Sequence, residues 1–271
     1  MTGGAVAGRL RPEDFGSWAE YYWTYQYNLA RDWYVPMLAG WNVPLSGTRL
    51  LDVGCGDGGF TAALADAGAD CTGVEIKPFA WREPGRPNLR YIVQDITAPD
   101  AVDMLGGQFD ILVLRDVIEH IPAAMKAGFM RSALRLLKPS GRILLTFPPF
   151  WSPFGLHQQA ELKTGFRNVP FLGWVPGSVL GPVLRAAGET ESSIAAVEGI
   201  RGAAMSIGGF ERLVRGLGLA IQHEKHYFVR PSHEIRYGWK CREAAWGGVP
   251  VLREVFVLGT VYVLGRDGFN L

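Results

Sequence analysis

Short apolar runs alternate with stretches of helical periodicity through the first half of the chain. Five runs have the length and apolar character of buried strands: residues 49–53, 70–75, 91–94, 110–114 and 142–147. Helical patterns lie between them, at 59–67, around 99–105 and at 123–137. The last helix is expected to end at a Lys-Pro-Ser-Gly turn, 138–141. Strands that are apolar on both faces and interleaved with helices predict an α/β, doubly wound, mostly parallel sheet.

The two ends of the chain have different patterns. Residues 15–38 predict a helix with one aromatic stripe, formed at three- and four-residue steps by Trp18, Tyr21, Tyr22, Tyr25, Leu29 and Trp33. That stripe either packs the helix onto the sheet or also closes over a ligand. Near the other end, a helix at 207–216 and two strands at 220–229 and 254–264 return to the sheet.

Residues 148–209 depart from this alternation. Six prolines are interspersed with Phe and Trp residues in this segment. A long proline- and aromatic-rich insertion in a compact domain is usually functional, so we expect a helical and loop lid over a substrate. The predicted organisation is an N-terminal helical cap (1–44), a ligand-binding core (45–148), a lid insertion (149–206), and a C-terminal helix with the final strands (207–271).

Charge and cysteine content narrow the choice of partners. The chain of 271 residues has 27 Lys and Arg against 26 Asp and Glu. This balance lacks the basic excess typical of nucleic-acid and anionic-membrane binding, so neither partner is expected. No secretory pattern opens the chain, and charged residues interrupt its longest apolar stretch, 249–264. Three cysteines without a C-x-x-C pair favour reduced thiols in a cytoplasmic protein. The oligomeric state is left open.

A glycine-rich turn, 54–59, follows the first predicted strand with the sequence Gly-Cys-Gly-Asp-Gly-Gly. Glycines there permit a tight strand-to-helix turn and let a ligand approach the backbone. The turn also satisfies G-x-G-x-x-G, so a nicotinamide dinucleotide is the alternative ligand. Cys55 has the position of a possible nucleophile, although a small side chain filling a tight loop is the simpler interpretation.

The acidic residues around the turn decide between these ligands. Asp52 and Asp57 lie where a pyrophosphate would be repelled, and Glu75 and Asp95 end the second and third strands. S-adenosylmethionine has no phosphate and carries an ammonium, a sulfonium and a ribose diol. Glu75 is placed to accept the ribose hydroxyls, and Asp95 to accept the adenine amino group beside the Ile96 amide. Each carboxylate alone could cap a turn, as Asp95 could before Thr97, but together they favour S-adenosylmethionine.

These segments resemble the class I, Rossmann-like S-adenosylmethionine-dependent methyltransferase family. The matching motifs are 50–58 with the glycine turn, 74–76, 93–96, 109–121 at the fourth strand, and 137–142. The resemblance covers 45–150 and points to the small-molecule, ubiquinone-type branch. It implies a seven-stranded sheet that ends in an antiparallel hairpin. It also implies a set of cofactor-binding residues, namely Asp52, Gly54, Cys55, Gly56, Glu75, Ile76, Asp95, Ile96 and Arg115.

Two histidines are candidates for removing a proton from the methyl acceptor. His120 follows the fourth strand and His157 lies in the lid. His120 is better explained as part of a helix start, and His157 equally well as a pocket wall. An alternative hypothesis is a divalent metal site made of Asp116, Glu119, His120 and His157, with the first three facing one way on a helical turn. This site resembles the acidic-x-x-Glu-His pattern of metal-assisted O-methyltransferases, but it is not the favoured interpretation.

The expected function is S-adenosylmethionine-dependent methylation of a small organic acceptor, at a hydroxyl of a natural product, quinone-type compound or sugar. N- or C-methylation of a small molecule or protein stays open as the alternative enzyme class. A catalytically silent methyltransferase-like binding subunit is the alternative outside enzymes.

Overall fold

The computed structural model describes residues 9–82, 86–246 and 248–267. Within them lies one mixed sheet of eight strands. The strands are β1 (Arg49–Val53), β2 (Asp70–Glu75), β3 (Leu89–Val93), β4 (Phe109–Arg115), β5 (Leu137–Phe147), β6 (Leu219–Val229), β7 (Arg242–Glu243) and β8 (Gly259–Arg266).

The strand order is β3-β2-β1-β4-β5-β8-β6-β7. The first five strands in that order are parallel, whereas β8, β6 and β7 each run antiparallel to the neighbour before them. The order reverses between β1 and β4, which opens a crevice at the carboxyl ends of these strands, where ligands of open α/β sheets bind. The predicted fold class is confirmed.

Helices cover both faces of the sheet and build the lid. They are α1 (Trp18–Leu29), α2 (Val35–Gly40), α3 (Gly59–Asp66), α4 (Ala101–Met104), α5 (Lys126–Leu136), α6 (Gln158–Glu161), α7 (Gly177–Ala186), α8 (Glu191–Gly202), α9 (Ile207–Gly216), α10 (Pro231–Tyr237) and α11 (Pro250–Phe256). A π-helix, Ala30–Tyr34, joins α1 to α2. No helix in the described ranges is long and apolar enough to cross a membrane.

Three sequence expectations about the sheet were wrong. The sheet has eight strands rather than seven, because the two-residue β7 pairs with the edge of β6 and is too short to show periodicity. The strand expected at 254–264 begins at Gly259, since Pro250 occupies the first turn of helix α11. Helix α5 does end at Leu136, but the expected turn at 138–141 lies within the long strand β5. The expected final hairpin is an antiparallel β6–β8 pair with α10, β7 and α11 between its strands.

Two buried clusters, one on each face, hold the helices to the sheet. Tyr25, Leu29 and Phe60 belong to the cluster under α1 and α3. Met130 and Phe210 belong to the cluster under α5 and α9. At about 25 cal/mol per Å² of apolar surface removed from water, such burial is the main force that fixes the strand ends in place.

The lid contains a separate apolar cluster. Phe150, Leu172, Leu184 and Ile194 are buried together there, away from the two sheet clusters. Helix α8 of the lid contacts the turn after β4. The lid therefore reaches the carboxyl end of the central strands, where the predicted site residues lie.

Candidate active site

The glycine turn between β1 and α3 is built on left-handed backbone. Gly54, Gly56 and Gly58 have φ values of 74°, 56° and 87°, a region that side chains disfavour. A Cβ at Gly58 would overlap Tyr91, whereas a Cβ at Gly56 would meet open space. The Tyr91 side chain therefore covers the backbone at Gly58, whereas the backbone at Gly56 is uncovered. This open backbone is where a ligand can approach.

Glu75 ties the end of β2 to the glycine turn. Its Oε1 accepts a hydrogen bond from the Gly56 amide at 2.9 Å, and its Oε2 accepts one from the Ile76 amide at 3.2 Å. Each carboxylate oxygen has a further lone pair, so both can also accept from a ligand diol. The next side chain, Ile76, is 68% exposed although apolar, and it offers a surface for a flat ring beside that diol.

Asp52 and Asp57 lie at the beginning of the turn, with limited access to water. Asp52 is buried and accepts the Thr61 hydroxyl at 2.6 Å; burial raises the pKa of its carboxyl to about 6. Burial likewise raises the pKa of Asp57. Both carboxyls therefore gain from a nearby cation such as an ammonium. Burial also raises the pKa of the Cys55 thiol, which supports its interpretation as a small loop filler.

Asp95 makes the local bonds of a turn cap. Its Oδ1 accepts both the Thr97 amide at 2.8 Å and the Thr97 hydroxyl at 2.7 Å. Neither bond uses Oδ2, so capping and ligand binding are compatible at this exposed carboxylate. The neighbouring Ile96 side chain is buried in the cluster under α5. Its burial orients the segment after β3.

An ion cluster that the sequence did not predict closes the end of β4. Arg230, which follows β6, donates to both carboxylate oxygens of Asp116 at 3.0 and 2.9 Å. The Thr146 hydroxyl donates to the same carboxylate at 2.9 Å, and the Arg115 guanidinium lies 3.6 Å from it. Burial alone would raise the pKa of Asp116, but the positive charges of Arg230 and Arg115 outweigh it and lower the pKa to about 2. The Arg115 guanidinium also lies over the Phe60 ring, 4.8 Å from its centroid.

Two buried tyrosines and a third arginine adjoin this cluster. Tyr25 and Tyr34 are each 5% exposed, and burial raises the pKa of both phenols. Arg236 of α10 lies over the Tyr25 ring, 5.6 Å from its centroid. Tyr25 belongs to the predicted aromatic stripe, which is thus partly core and partly site wall. Arg230 and Arg236 carried no sequence signal, because nothing in their local pattern marks them as buried.

The two candidate histidines meet at the edge of the site. Their rings make an edge-to-face contact with centroids 5.2 Å apart, which joins the turn after β4 to the lid. Desolvation lowers the pKa of His157 to about 4 and also lowers that of His120, which keeps contact with solvent. His157 also has left-handed backbone, with φ of 54°, an unusual geometry that often accompanies function.

The helical turn expected to present Asp116, Glu119 and His120 does not form. Asp116 has φ of 53° and lies before a short 3-10 helix, Ile118–His120, so the three residues do not share a helical face. The Asp116 carboxylate already pairs with two arginines. Glu119 is buried, and neither of its carboxyl oxygens is hydrogen-bonded. Burial raises the pKa of Glu119. Across the described ranges, no group of three or more His, Cys, Asp or Glu side chains is arranged to hold a metal ion.

The carboxyl ends of β1 to β4 thus combine features that suit S-adenosylmethionine. The open backbone at Gly56 accepts close approach, Glu75 retains acceptors for a diol, and Asp52 is a desolvated carboxyl next to the turn. Arg115 ends β4 beside the crevice and can pair with a carboxylate. The carboxyls of Asp52 and Glu75 disfavour a pyrophosphate. The contact of each residue with the cofactor stays a prediction.

Comparisons with known proteins agree with this geometry. A family model described as a methyltransferase domain matches residues 22–188. An uncharacterized methyltransferase of Mycobacterium tuberculosis is 31% identical over 234 residues, which cover 84% of this chain and 80% of the relative. A ubiquinone biosynthesis O-methyltransferase of Pseudomonas aeruginosa is 31% identical over 118 residues, covering 41% of this chain and 50% of that protein.

A solved structure shares the fold. The plantazolicin methyltransferase BamL, in complex with a triazolic desmethylPZN analog and SAH, superposes with a TM-score of 0.52 at 11% identity. The match covers 90% of this chain and 85% of that one. The chain therefore belongs to the methyltransferase domain family, as a class I S-adenosylmethionine-dependent methyltransferase.

Proposed function

We propose that the protein transfers a methyl group from S-adenosylmethionine to a hydroxyl oxygen of a small organic acceptor. The observation that carries this proposal is the contact between His120 and His157 beside the Asp116 cluster. When bound, the cofactor supplies an electrophilic methyl group on a sulfonium. A hydroxyl acceptor must lose its proton during transfer, whereas an amine can react through its lone pair without a base.

His157 is the proposed proton acceptor. Its lowered pKa keeps the imidazole neutral near neutral pH, so a ring nitrogen is available to take a proton. A weak base suffices, because the hydroxyl proton becomes strongly acidic as the oxygen–methyl bond forms. His120 packs against the edge of the same ring and is proposed to hold it in place.

The lid supports an acceptor of limited size. Trp174 donates its indole N–H to the Trp151 carbonyl at 2.9 Å, and Phe150 packs against the Trp151 ring. These aromatic contacts fix the outer part of the lid, while Phe150 belongs to the lid's buried apolar cluster. The likeness to a ubiquinone biosynthesis O-methyltransferase across part of the chain supports a hydroxyl oxygen as the target.

The pH dependence of turnover tests the role of His157. With a pKa of about 4, His157 is almost fully deprotonated at pH 5.5, so kcat there is expected to equal its value at pH 8. A histidine of ordinary pKa, about 6.5, would leave about one tenth of the activity at pH 5.5. The assay is release of S-adenosylhomocysteine at saturating cofactor, since the carboxyl of Asp52 titrates near 6.

Replacing His157 by glutamine completes this test. We expect kcat to fall about 100-fold, the lower range for loss of a general base, with cofactor affinity unchanged. His120→Gln removes only the packing contact and should lower kcat less than His157→Gln does. His223→Gln, at a histidine that stacks on Trp41, is the matched control and should keep kcat. Full activity of His157→Gln with hydroxyl acceptors would remove His157 from the reaction. Turnover with amines but with no hydroxyl compound would refute O-methylation.

A further inference from the structure

The ion pairs around Tyr25 include two of the three arginines that surround it. The positive charges of three guanidiniums each lower the pKa of the Tyr25 hydroxyl, against the effect of burial; they belong to Arg115, Arg230 and Arg236. Asp116 is the one described carboxylate paired with any of these arginines. Burying a cation away from water is costly unless an anion compensates it. The site therefore favours further negative charge.

Arg236 is the arginine without an anionic partner. Its guanidinium lies 5.6 Å from the Tyr25 centroid and 5.3 Å from the Tyr237 centroid, so aromatic faces hold it. Within the described ranges no carboxylate lies within ion-pair distance of Arg236, whereas Arg230 and Arg115 share Asp116. One hydrogen bond also joins Arg236 to the Tyr21 side chain, and the remaining N–H donors of the guanidinium stay available for a planar anion.

Two tyrosine hydroxyls lie beside the same ion cluster. Tyr25 and Tyr34 are each 5% exposed, and neither hydroxyl is among the fully buried polar atoms that lack a partner in the described ranges. The pKa of each is raised, so both phenols remain protonated donors. Each hydroxyl can therefore donate to an acceptor oxygen supplied by a ligand.

The cofactor does not supply the missing charge. S-adenosylmethionine carries an ammonium and a sulfonium against one carboxylate, and that carboxylate is assigned to Arg115. The ammonium of the cofactor suits Asp52 and Asp57, so the cofactor leaves Arg236 without an anion. We expect that anion to come from the second substrate.

We propose that the methyl acceptor carries a carboxylate, separate from the hydroxyl that is methylated, and that Arg236 binds this carboxylate with help from the Tyr25 and Tyr34 hydroxyls. This inference rests on the proposed function. A planar carboxylate matches the paired donors of a guanidinium, and the phenols donate to its remaining lone pairs. The absence of an ion-pair partner for Arg236 thereby becomes a specificity for acidic acceptors.

Matched acids and amides test this proposal. The probes are 4-hydroxyphenylacetate and 3-(4-hydroxyphenyl)propanoate, each compared with its amide, which differs in charge but scarcely in phenol acidity. Binding is measured by calorimetry on protein saturated with S-adenosylhomocysteine. We expect at least one acid to bind tenfold or more tightly than its amide. Arg236→Gln should abolish that preference, and Arg236→Lys should keep part of it.

The control is Arg215→Gln, an exposed arginine of α9, which should leave the preference unchanged. Thermal unfolding and S-adenosylhomocysteine affinity establish that the Arg236 variants fold. Equal binding of acids and amides, binding of neither, or a preference that survives Arg236→Gln overturns the proposal. Methylation of neutral phenols without any preference for acids would overturn only the proposal that the acceptor carries a carboxylate. Methylation confined to amines would overturn the proposed function, while the binding comparison still decides the carboxylate.

Discussion

Replacing Glu75 by glutamine is expected to weaken S-adenosylhomocysteine binding by about 100-fold. The carboxylate accepts the Gly56 and Ile76 amides at 2.9 and 3.2 Å and keeps lone pairs for the ribose diol. Each charged hydrogen bond contributes about 1.5–3 kcal/mol, and glutamine loses the charge and replaces one acceptor by a donor. A loss of about 3 kcal/mol corresponds to the expected change in Kd, measured by titration calorimetry.

Strand β2 provides the control for this variant. Asp70 begins the same strand and is exposed at the opposite edge of the sheet, so Asp70→Asn should leave the Kd unchanged. Thermal unfolding would show whether the Glu75 variant keeps its fold, since the glycine turn also loses an acceptor. Normal affinity in a folded Glu75→Gln protein would mean that the cofactor does not lie against the end of β2.

Most of the sheet could be predicted because each strand and helix shows its own pattern of apolar residues over a short stretch of sequence. Buried parallel strands are apolar on both faces, and helix α9 has strong periodicity, so its predicted bounds agree with Ile207–Gly216. The misplaced strand β8 has a different cause. Residues 250–256 are apolar enough for a strand, but Pro250 begins helix α11, so the strand does not begin until Gly259. Pairing of the two-residue β7 depends on the position of β6, which no local pattern contains.

The residues assigned to the cofactor could also be predicted from local patterns, whereas those proposed for the acceptor could not. Glu75 and Asp95 end successive strands, and parallel strands bring their carboxyl ends to one edge. Asp116 instead takes its partner from Arg230, 114 residues along the chain, after the sheet has reversed direction. The sequence spacing suggested that Asp116 and Glu119 share a helical face, and the left-handed backbone at Asp116 prevents it.

Removing the charge of Asp116 is expected to destabilise the fold by about 3 kcal/mol. Asp116→Asn keeps the size of the side chain and tolerates the left-handed backbone, so the variant isolates the charge. Arg230 and Arg115, whose side chains are 20% and 14% exposed, would then lose this anion. Because the pair is only partly buried, the loss lies at the lower end of the range of about 3–5 kcal/mol typical of a buried pair. Urea unfolding at pH 7 measures the change as a shift in midpoint at constant slope.

A surface pair on the same strand gives the comparison. Asp110 pairs with Lys138 at 2.8 Å with both side chains partly exposed, so Asp110→Asn should cost less than about 1 kcal/mol. The pKa of Asp116 is lowered from 3.8 to about 2, so its contribution is present above pH 4 and is lost as the pH falls towards 2. Adding Arg230→Met to Asp116→Asn should recover stability, because the unpaired cation is then absent. Equal losses for Asp110→Asn and Asp116→Asn would mean that water already compensates the arginines, and the case for an anionic acceptor would lose its basis.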